Sequence, residues 1–183
     1  MSAPPAPVVV RPARPDELAA AGEVVASAYL HDVEISATYQ AHLRDAASRS
    51  GPALVLVAVG ADDGGSDGGS DGGGDGEVLG TVTWAAGGSP LAQRAGPGEV
   101  ELRMLGVAPS ARGRGIGEAL VLDSLERARS AGAHRVVLST QPQMRAAHRL
   151  YERLGFVRAP DLDWTPEAGV ELLGYCLALS ARR

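Results

Sequence analysis

Lysine is absent from this 183-residue chain, and all 17 basic residues are arginines. The single cysteine, Cys176, excludes an internal disulfide, and we expect a cytoplasmic protein. No apolar run approaches the roughly 20 residues that a membrane-spanning helix needs, so no membrane partner is expected. The N-terminal segment lacks a basic region followed by an apolar stretch, and we therefore expect no secretory signal.

Aromatic residues make up only 4% of the chain, and the arginines do not cluster with them into a basic stripe. This composition argues against a nucleic-acid partner. Much of the net charge of −5 belongs to residues 62–77, which hold six acids and no base. The four histidines lack metal-ligand spacing, so no metal site is expected.

The length suits one domain with a sizeable hydrophobic core. We expect a flexible tail over residues 1–7 and a single domain over residues 8–183. Residues 61–76 repeat Gly and Asp, and they are expected to form a disordered loop. The repeat also suggests calcium binding, but the known calcium-binding repeat needs a large apolar residue that is missing here. An expanded hairpin loop is the simpler interpretation, because loop entropy grows slowly with length.

Hydrophobic periodicity predicts the element order β-α-α-β-β-β-α-β-α-β-β. The first helix should run from Pro15 or Asp16 to near Leu30, and the second from Ser36 to Arg49. Pro142 should open the last helix. The predicted strands are 8–12, 53–59, 77–85, 100–107, 135–139, 156–157 and 172–179.

A glycine-rich segment, residues 112–117, follows the strand at 100–107; we call it the arm. It opens a helix that should end near Ala131. Glycines let a backbone approach a ligand closely, and a helix start offers free N–H groups and a positive dipole end. The arm is therefore typical of a pyrophosphate site. The dinucleotide-binding fingerprint does not fit, because its third glycine would fall on Glu118. A solvated arginine loop before an ordinary helix is the alternative interpretation.

Together with the downstream segment AAHRLYERLGF (146–156), the arm resembles that of the GCN5-related N-acetyltransferases (GNAT), which use acetyl-CoA. The resemblance is strong over residues 99–158. It implies an α/β fold of the acetyl-CoA N-acyltransferase type: a mostly antiparallel central sheet with a splayed strand pair and about four flanking helices. It also implies that backbone groups of Leu105 and Val107 pair with the pantetheine arm. Amides of the arm would cradle the pyrophosphate, and these belong to Arg112, Gly113, Arg114, Gly115, Ile116 and Gly117.

Two residues are expected to act in acetyl transfer. Tyr151 matches the family position that often protonates the departing thiolate, and its alternative role is a core tyrosine on an apolar stripe with Met144 and Ala147. Glu101 is the candidate general base, acting through water. Strand alternation also puts Glu101 and Arg103 on one face, where the two side chains could simply pair.

The expected acceptor is a primary amine on a small molecule. Ribosomal-protein alanine N-acetyltransferases carry a Glu in the strand before the tyrosine helix and an Asn seven residues before the tyrosine, where this chain has Ser139 and Met144. A protein N-terminal or lysine acetyltransferase and a non-catalytic acyl-CoA sensor remain the alternatives. The sequence does not determine the oligomeric state, and a homodimer is one possibility. Candidate acceptor-site residues are Tyr29, His31, Asp32, Glu34, Tyr39, Trp84 and Trp164.

Overall fold

The computed structural model describes residues 8–60 and 76–180. The predicted tail, residues 1–7, lies outside the described residues, as does the predicted Gly/Asp-rich loop apart from Gly76. Within the two described ranges, no helix is both long and apolar enough to cross a membrane.

The strands of the described residues form a mixed sheet. They are β1 (Val8–Pro12), β2 (Leu54–Gly60), β3 (Val78–Ala86), β4 (Glu99–Val107), β5 (Arg135–Thr140), β6 (Val157–Arg158), β7 (Trp164–Glu167) and β8 (Val170–Ala178). Their order is β1-β2-β3-β4-β5-β8-β6, and β7 pairs with β8 beside this path. Among these pairings, β4 with β5 is parallel and the others are antiparallel. The predicted mixed, mostly antiparallel sheet is confirmed.

Helices cover both faces of this sheet. They are α1 (Leu18–Asp32), α2 (Ala37–Arg44), α3 (Ala46–Arg49), α4 (Ile116–Ser130) and α5 (Arg145–Arg153). Val57 of β2 packs with Ala21 of α1 on one face, whereas its neighbour Leu56 belongs to the cluster that contains Leu120 of α4 on the other. Side chains that alternate along β2 thus pack into two separate apolar layers, one on each face of the sheet.

The helix α1 lies unusually close to β4. A Cβ added to Gly106 would stand 2.8 Å from the Cα of Val25 in α1, a distance that real Cβ atoms do not tolerate. Glycine at this position therefore permits the close approach. This contact brings the C-terminal end of α1 next to the second half of β4.

The middle of the sheet is splayed between β4 and β5. Their pairing runs from Glu99 opposite Arg135 only to Leu102 opposite Leu138. Two residues further along β4 lies Met104, which has a φ of 53° and lies at a register shift between β3 and β4. A left-handed residue in a bulge bends its strand, and here β4 leaves β5 at this point. The splayed strand pair is therefore present as predicted.

Three predicted elements differ in detail. The helix expected over Ser36–Arg49 is divided at Asp45, whose carboxylate accepts a 3.0 Å hydrogen bond from the Ser48 N–H and caps α3. The buried Arg49 donates to the carbonyls of His42 and Leu43 at the end of α2, which satisfies acceptors that the break exposes.

The two other differences lie near the C-terminus. The helix expected to open at Pro142 begins only at Arg145, because residues 142–143 form a turn. Residues 164–167, for which no strand was predicted, form the short strand β7 in a hairpin with β8. Pro166 obscured this strand, since proline argues against a strand in sequence and is tolerated at a sheet edge.

Candidate active site

Two cavities meet in the opening between β4 and β5. The first, of about 320 Å³, lies between the second half of β4, the glycine arm and α5; we call it the cofactor cavity. The second, of about 420 Å³, lies between the α1–α2 segment, the first half of β4 and the β7–β8 hairpin; we call it the acceptor cavity. Four residues line both cavities and mark their junction: Tyr29, Ser139, Thr140 and Met144.

The glycine arm forms one end of the cofactor cavity. Gly113 and Gly115 both have φ of 76°, and a Cβ added to either would meet nothing within 4 Å. The arm therefore has open space beside it. Helix α4 begins at Ile116, and its first intrahelical bond from the Ala119 N–H goes to the Gly115 carbonyl at 2.9 Å. The N–H groups before Ala119 are left available for a ligand, with the positive end of the helix dipole behind them.

The splayed half of β4 forms a wall of the same cavity. Leu105 and Val107 both line it, and they lie beyond Leu102, where the pairing with β5 ends. Their backbone groups on that side can pair with an extended ligand as a neighbouring strand would. The geometry is thus compatible with the role that the resemblance implies for both residues.

The two arm arginines differ in their surroundings. Arg112 lines the cofactor cavity and forms a bidentate ion pair with Asp32 at the end of α1, with N···O distances of 2.7 and 2.9 Å. Arg114 does not line the cavity. Asp32, considered above for the acceptor site, therefore lies on the cofactor side, where it ties α1 to the arm.

Helix α5 supplies basic side chains that the sequence reasoning missed. Arg149 and Arg153 both line the cofactor cavity. Arg153 forms an ion pair with Glu118 at 2.7 Å, whereas Arg149 makes no ion pair among the described residues. The available signal was helical spacing: Arg149 lies on the helix of Tyr151, which the motif had already placed beside the cofactor.

Tyr151 lies in the wall of the cofactor cavity and is 6% exposed. Its ring contacts Phe156 and Tyr175, with centroid distances of 5.8 and 6.2 Å. Burial raises the pKa of the Tyr151 hydroxyl well above its ordinary value, so it stays protonated. Both interpretations of Tyr151 find structural support, because it belongs to the core and also faces the cavity. Its catalytic role stays a prediction.

Glu101 lines the acceptor cavity and is 2% exposed. Its Oε2 accepts hydrogen bonds from the backbone N–H groups of Gln93, Arg94 and Ala95, at 2.7, 2.7 and 3.1 Å. Its Oε1 lies 3.7 Å from the Arg103 Nε. The pairing with Arg103 is thus observed, and the same carboxylate also holds the loop before β4. Its role as general base stays a prediction.

The acceptor cavity brings together only part of the expected set. Tyr29, Glu34, Tyr39 and Trp164 line it. Trp84 does not, since its indole N–H donates to the Ser124 carbonyl at 3.2 Å beneath α4. Nor do His31 and Asp32. The sequence reasoning gave no acceptor role to three charged or titratable residues that do line the cavity: His42, Arg103 and Glu167.

Positive charge in the acceptor cavity is limited. Burial and the nearby Arg49 and Arg103 guanidinium groups lower the pKa of His42 below its ordinary value. His42 is therefore neutral at pH 7, and Arg103 is the only arginine among the described residues that line this cavity. The carboxylates of Glu34 and Glu167 are exposed and belong to its rim.

The fold matches solved acetyltransferases. A GNAT-family acetyltransferase from Staphylococcus aureus Mu50 is 15% identical with a TM-score of 0.69, and the match covers 95% of this chain and 100% of that one. A GNAT-family acetyltransferase from Brucella melitensis, solved in complex with acetyl-CoA, is 26% identical with a TM-score of 0.59, and the match covers 97% of this chain and 91% of that one.

Curated relatives match over a shorter stretch. The mycothiol acetyltransferase of Mycobacteroides abscessus is 43% identical over 63 residues, which are 34% of this chain and 21% of the relative. That of Thermobispora bispora is 47% identical over 58 residues, 32% of this chain and 20% of the relative. The matched region thus spans about a fifth of these relatives' length.

The model of the acetyltransferase (GNAT) family matches residues 61–156, more than half of the chain. This range contains β4, the glycine arm, α4, β5 and α5. The match and the splayed sheet agree with the resemblance first seen in the arm and the tyrosine helix. The chain belongs to the GNAT family of acetyltransferases.

Proposed function

We propose that the protein transfers the acetyl group of acetyl-CoA directly to a primary amine of a small molecule. The observation that carries this proposal is the junction of two cavities between β4 and β5. One cavity has the open glycine arm at its end, and the other is lined by side chains from distant elements. A thioester held in the first cavity would present its acetyl group to an amine held in the second.

The residues of the cofactor cavity fit acetyl-CoA. The open space beside Gly113 and Gly115, together with the free N–H groups at the start of α4, suits a pyrophosphate. Backbone groups of Leu105 and Val107 would hold the pantetheine arm, and Arg149 would add positive charge for a phosphate. The acetyl-CoA complex of the Brucella melitensis structure supports this assignment.

Two side chains would move protons during transfer. Glu101 would accept the proton of the amine through a water molecule as the new C–N bond forms. Tyr151, kept protonated by burial, would give its proton to the sulfur as the C–S bond breaks. Each proton then has a stated origin and destination, and no acyl-enzyme is required.

The size and enclosure of the acceptor cavity favour a small molecule. Its volume of about 420 Å³ lies in the range of small-molecule sites. The α1–α2 segment and the β7–β8 hairpin both contribute to its walls, whereas a protein substrate would need an open groove. The curated relatives are named mycothiol acetyltransferases, which suggests a small-molecule substrate, but the match covers too little of their length to transfer an acceptor to this chain.

The test is CoA release from acetyl-CoA across pooled amines, amino acids, polyamines, aminoglycosides and short peptides, with a no-acceptor control for hydrolysis. Release with one small-molecule pool supports the proposal, and release with peptides alone would favour a protein acetyltransferase. Binding of acetyl-CoA, measured separately by calorimetry, without release in any pool would favour an acyl-CoA sensor. Failure to bind acetyl-CoA would overturn the proposal.

A further inference from the structure

The hydroxyl of Thr140 is buried without a hydrogen-bond partner. Thr140 is 3% exposed, and among the described residues no group pairs with its Oγ1. Two other buried hydroxyls are paired: Thr81 donates to the Leu56 carbonyl at 2.8 Å, and Ser124 to the Leu120 carbonyl at 2.7 Å. Within the described part of the chain, the Oγ of Ser89 is also buried and unpaired, but Ser89 lines neither cavity. A buried, unpaired hydroxyl destabilises the free protein, because it has lost its bonds to water.

The location of Thr140 links this hydroxyl to the site. Thr140 is the last residue of β5, past the point where β4 departs, and it lines both cavities at their junction. Side chains alternate along β5, so Thr140 shares the face of Leu138, which belongs to the same apolar cluster as Tyr151. The adjacent Ser139 points to the other face, where its Oγ accepts a 3.2 Å bond from the Trp164 indole.

The junction is also where the acetyl group must lie. Under the proposed function, the thioester is held by the cofactor cavity and attacked from the acceptor cavity, so its carbonyl lies where the two meet. An acetyl group has one polar atom, the carbonyl oxygen, and that atom only accepts hydrogen bonds. The Thr140 hydroxyl can meet it only as a donor.

We propose that the Thr140 hydroxyl donates a hydrogen bond to the carbonyl oxygen of the bound acetyl group. This inference rests on the proposed function. The bond satisfies a buried hydroxyl that is unpaired in the free protein, and it grows stronger as the carbonyl oxygen gains negative charge during attack. Thr140 thereby distinguishes acetyl-CoA from CoA, which lacks this oxygen.

The test compares the affinities of acetyl-CoA and CoA by calorimetry in wild type, Thr140→Val and Thr140→Ser. Valine keeps the shape and removes the hydroxyl, whereas serine keeps the hydroxyl. We expect Thr140→Val to bind acetyl-CoA about threefold to tenfold more weakly, the worth of one hydrogen bond, with unchanged CoA affinity. Thr140→Ser should keep the wild-type ratio of the two affinities.

Thermal unfolding of the ligand-free variants gives a second readout. Thr140→Val should unfold at or above the wild-type temperature, because no hydrogen bond is lost. The control Thr81→Val should unfold at a lower temperature, because it removes the buried hydrogen bond to the Leu56 carbonyl, and should keep the wild-type affinity ratio.

Three results would overturn the inference while leaving the proposed function intact: unchanged binding of both ligands by Thr140→Val, equal weakening of both, or a lower unfolding temperature than wild type. Failure of the wild-type protein to bind either ligand would instead overturn the proposed function, and this inference with it.

Discussion

The cofactor cavity and the acceptor cavity are built in different ways. The cofactor cavity takes its proposed backbone contacts from one continuous stretch, from Leu105 through the arm to Gly117, and residues of α1, β5 and α5 complete its lining. The acceptor cavity uses side chains from α1, α2, β4 and β7, which are far apart in the sequence. A site made from consecutive backbone groups can be recognised in the sequence by its glycine pattern, whereas a site made from distant side chains has no such local pattern.

The family match covers the residues of the two cavities unequally. It covers residues 61–156, which include the arm and Tyr151. It omits Tyr29 and Tyr39 on one side of the acceptor cavity and Trp164 on the other. The match therefore includes the stretch in which we place the co-substrate, and it leaves out several side chains that line the acceptor cavity.

The strongest way to break the backbone-built cavity is Gly115→Asp. The carboxylate would enter the open space where we place the pyrophosphate and repel it. We expect acetyl-CoA affinity to fall by at least about a hundredfold, the loss of two or three hydrogen bonds. The matched control is Gly132→Asp, since Gly132 has a similar φ of 74° in open space at the far end of α4. Calorimetry in which both variants bind equally well would contradict the assignment of the arm.

Tyr151→Phe tests the side-chain chemistry at the end of that cavity. We expect kcat to fall about a hundredfold, the contribution of a general acid, with little change in acetyl-CoA affinity. The control is Tyr175→Phe, because this neighbouring ring lies 6.2 Å away and its hydroxyl contacts Glu152 instead. Steady-state kinetics that showed equal losses in both variants would assign the effect to packing.

The pH profile of kcat sharpens the same prediction. Burial raises the pKa of Tyr151, so the phenol remains protonated above the ordinary tyrosine pKa of about 10. The wild-type rate should therefore show no decrease from tyrosine ionisation up to about pH 10. A decrease that appears below that pH and vanishes in Tyr151→Phe would show that the hydroxyl is more acidic than its surroundings imply.

Glu101→Gln probes the acceptor cavity. We expect kcat to fall at least about tenfold, because the amide cannot accept the proton of the amine. Glu99→Gln is the control on the same strand: Glu99 accepts from the Gly96 N–H and pairs with Arg135, and it lines neither cavity. The unfolding temperatures of the variants separate loss of catalysis from loss of the hydrogen bonds that Glu101 accepts from residues 93–95. Full activity in Glu101→Gln would leave the carboxylate a purely structural role.

The smallest expected effect concerns Arg149. Arg149→Gln should weaken acetyl-CoA binding about threefold at low salt, as for an exposed charge pair, and less at high salt. Arg145→Gln is the control, because Arg145 is exposed on the same helix but does not line the cofactor cavity. Identical salt dependence in the two variants would mean that Arg149 does not contact the phosphates.

Much of the fold was readable before the structure, but its finer divisions were not. The strands β2 and β3 and the helix after the arm were predicted to within a residue or two, because β2 and β3 are apolar runs of strand length and the helix has an apolar stripe at helical spacing. The division of the second helix at Asp45 was missed, because residues 36–49 have continuous helical character. The break depends on Arg49, which reaches back to the carbonyls of α2 only once the chain has folded.

In the candidate site, too, local features were predictable and features that depend on distant contacts were not. Local order identified the arm and its helix, since consecutive residues already contain the free N–H groups, whereas Tyr151 was proposed from the family resemblance. The splay at Met104, the pairing of Arg112 with Asp32 and the unpaired hydroxyl of Thr140 arose only from packing. Each depends on groups far apart in the chain, and burial, charge pairing and cavity shape exist only after those groups have been brought together.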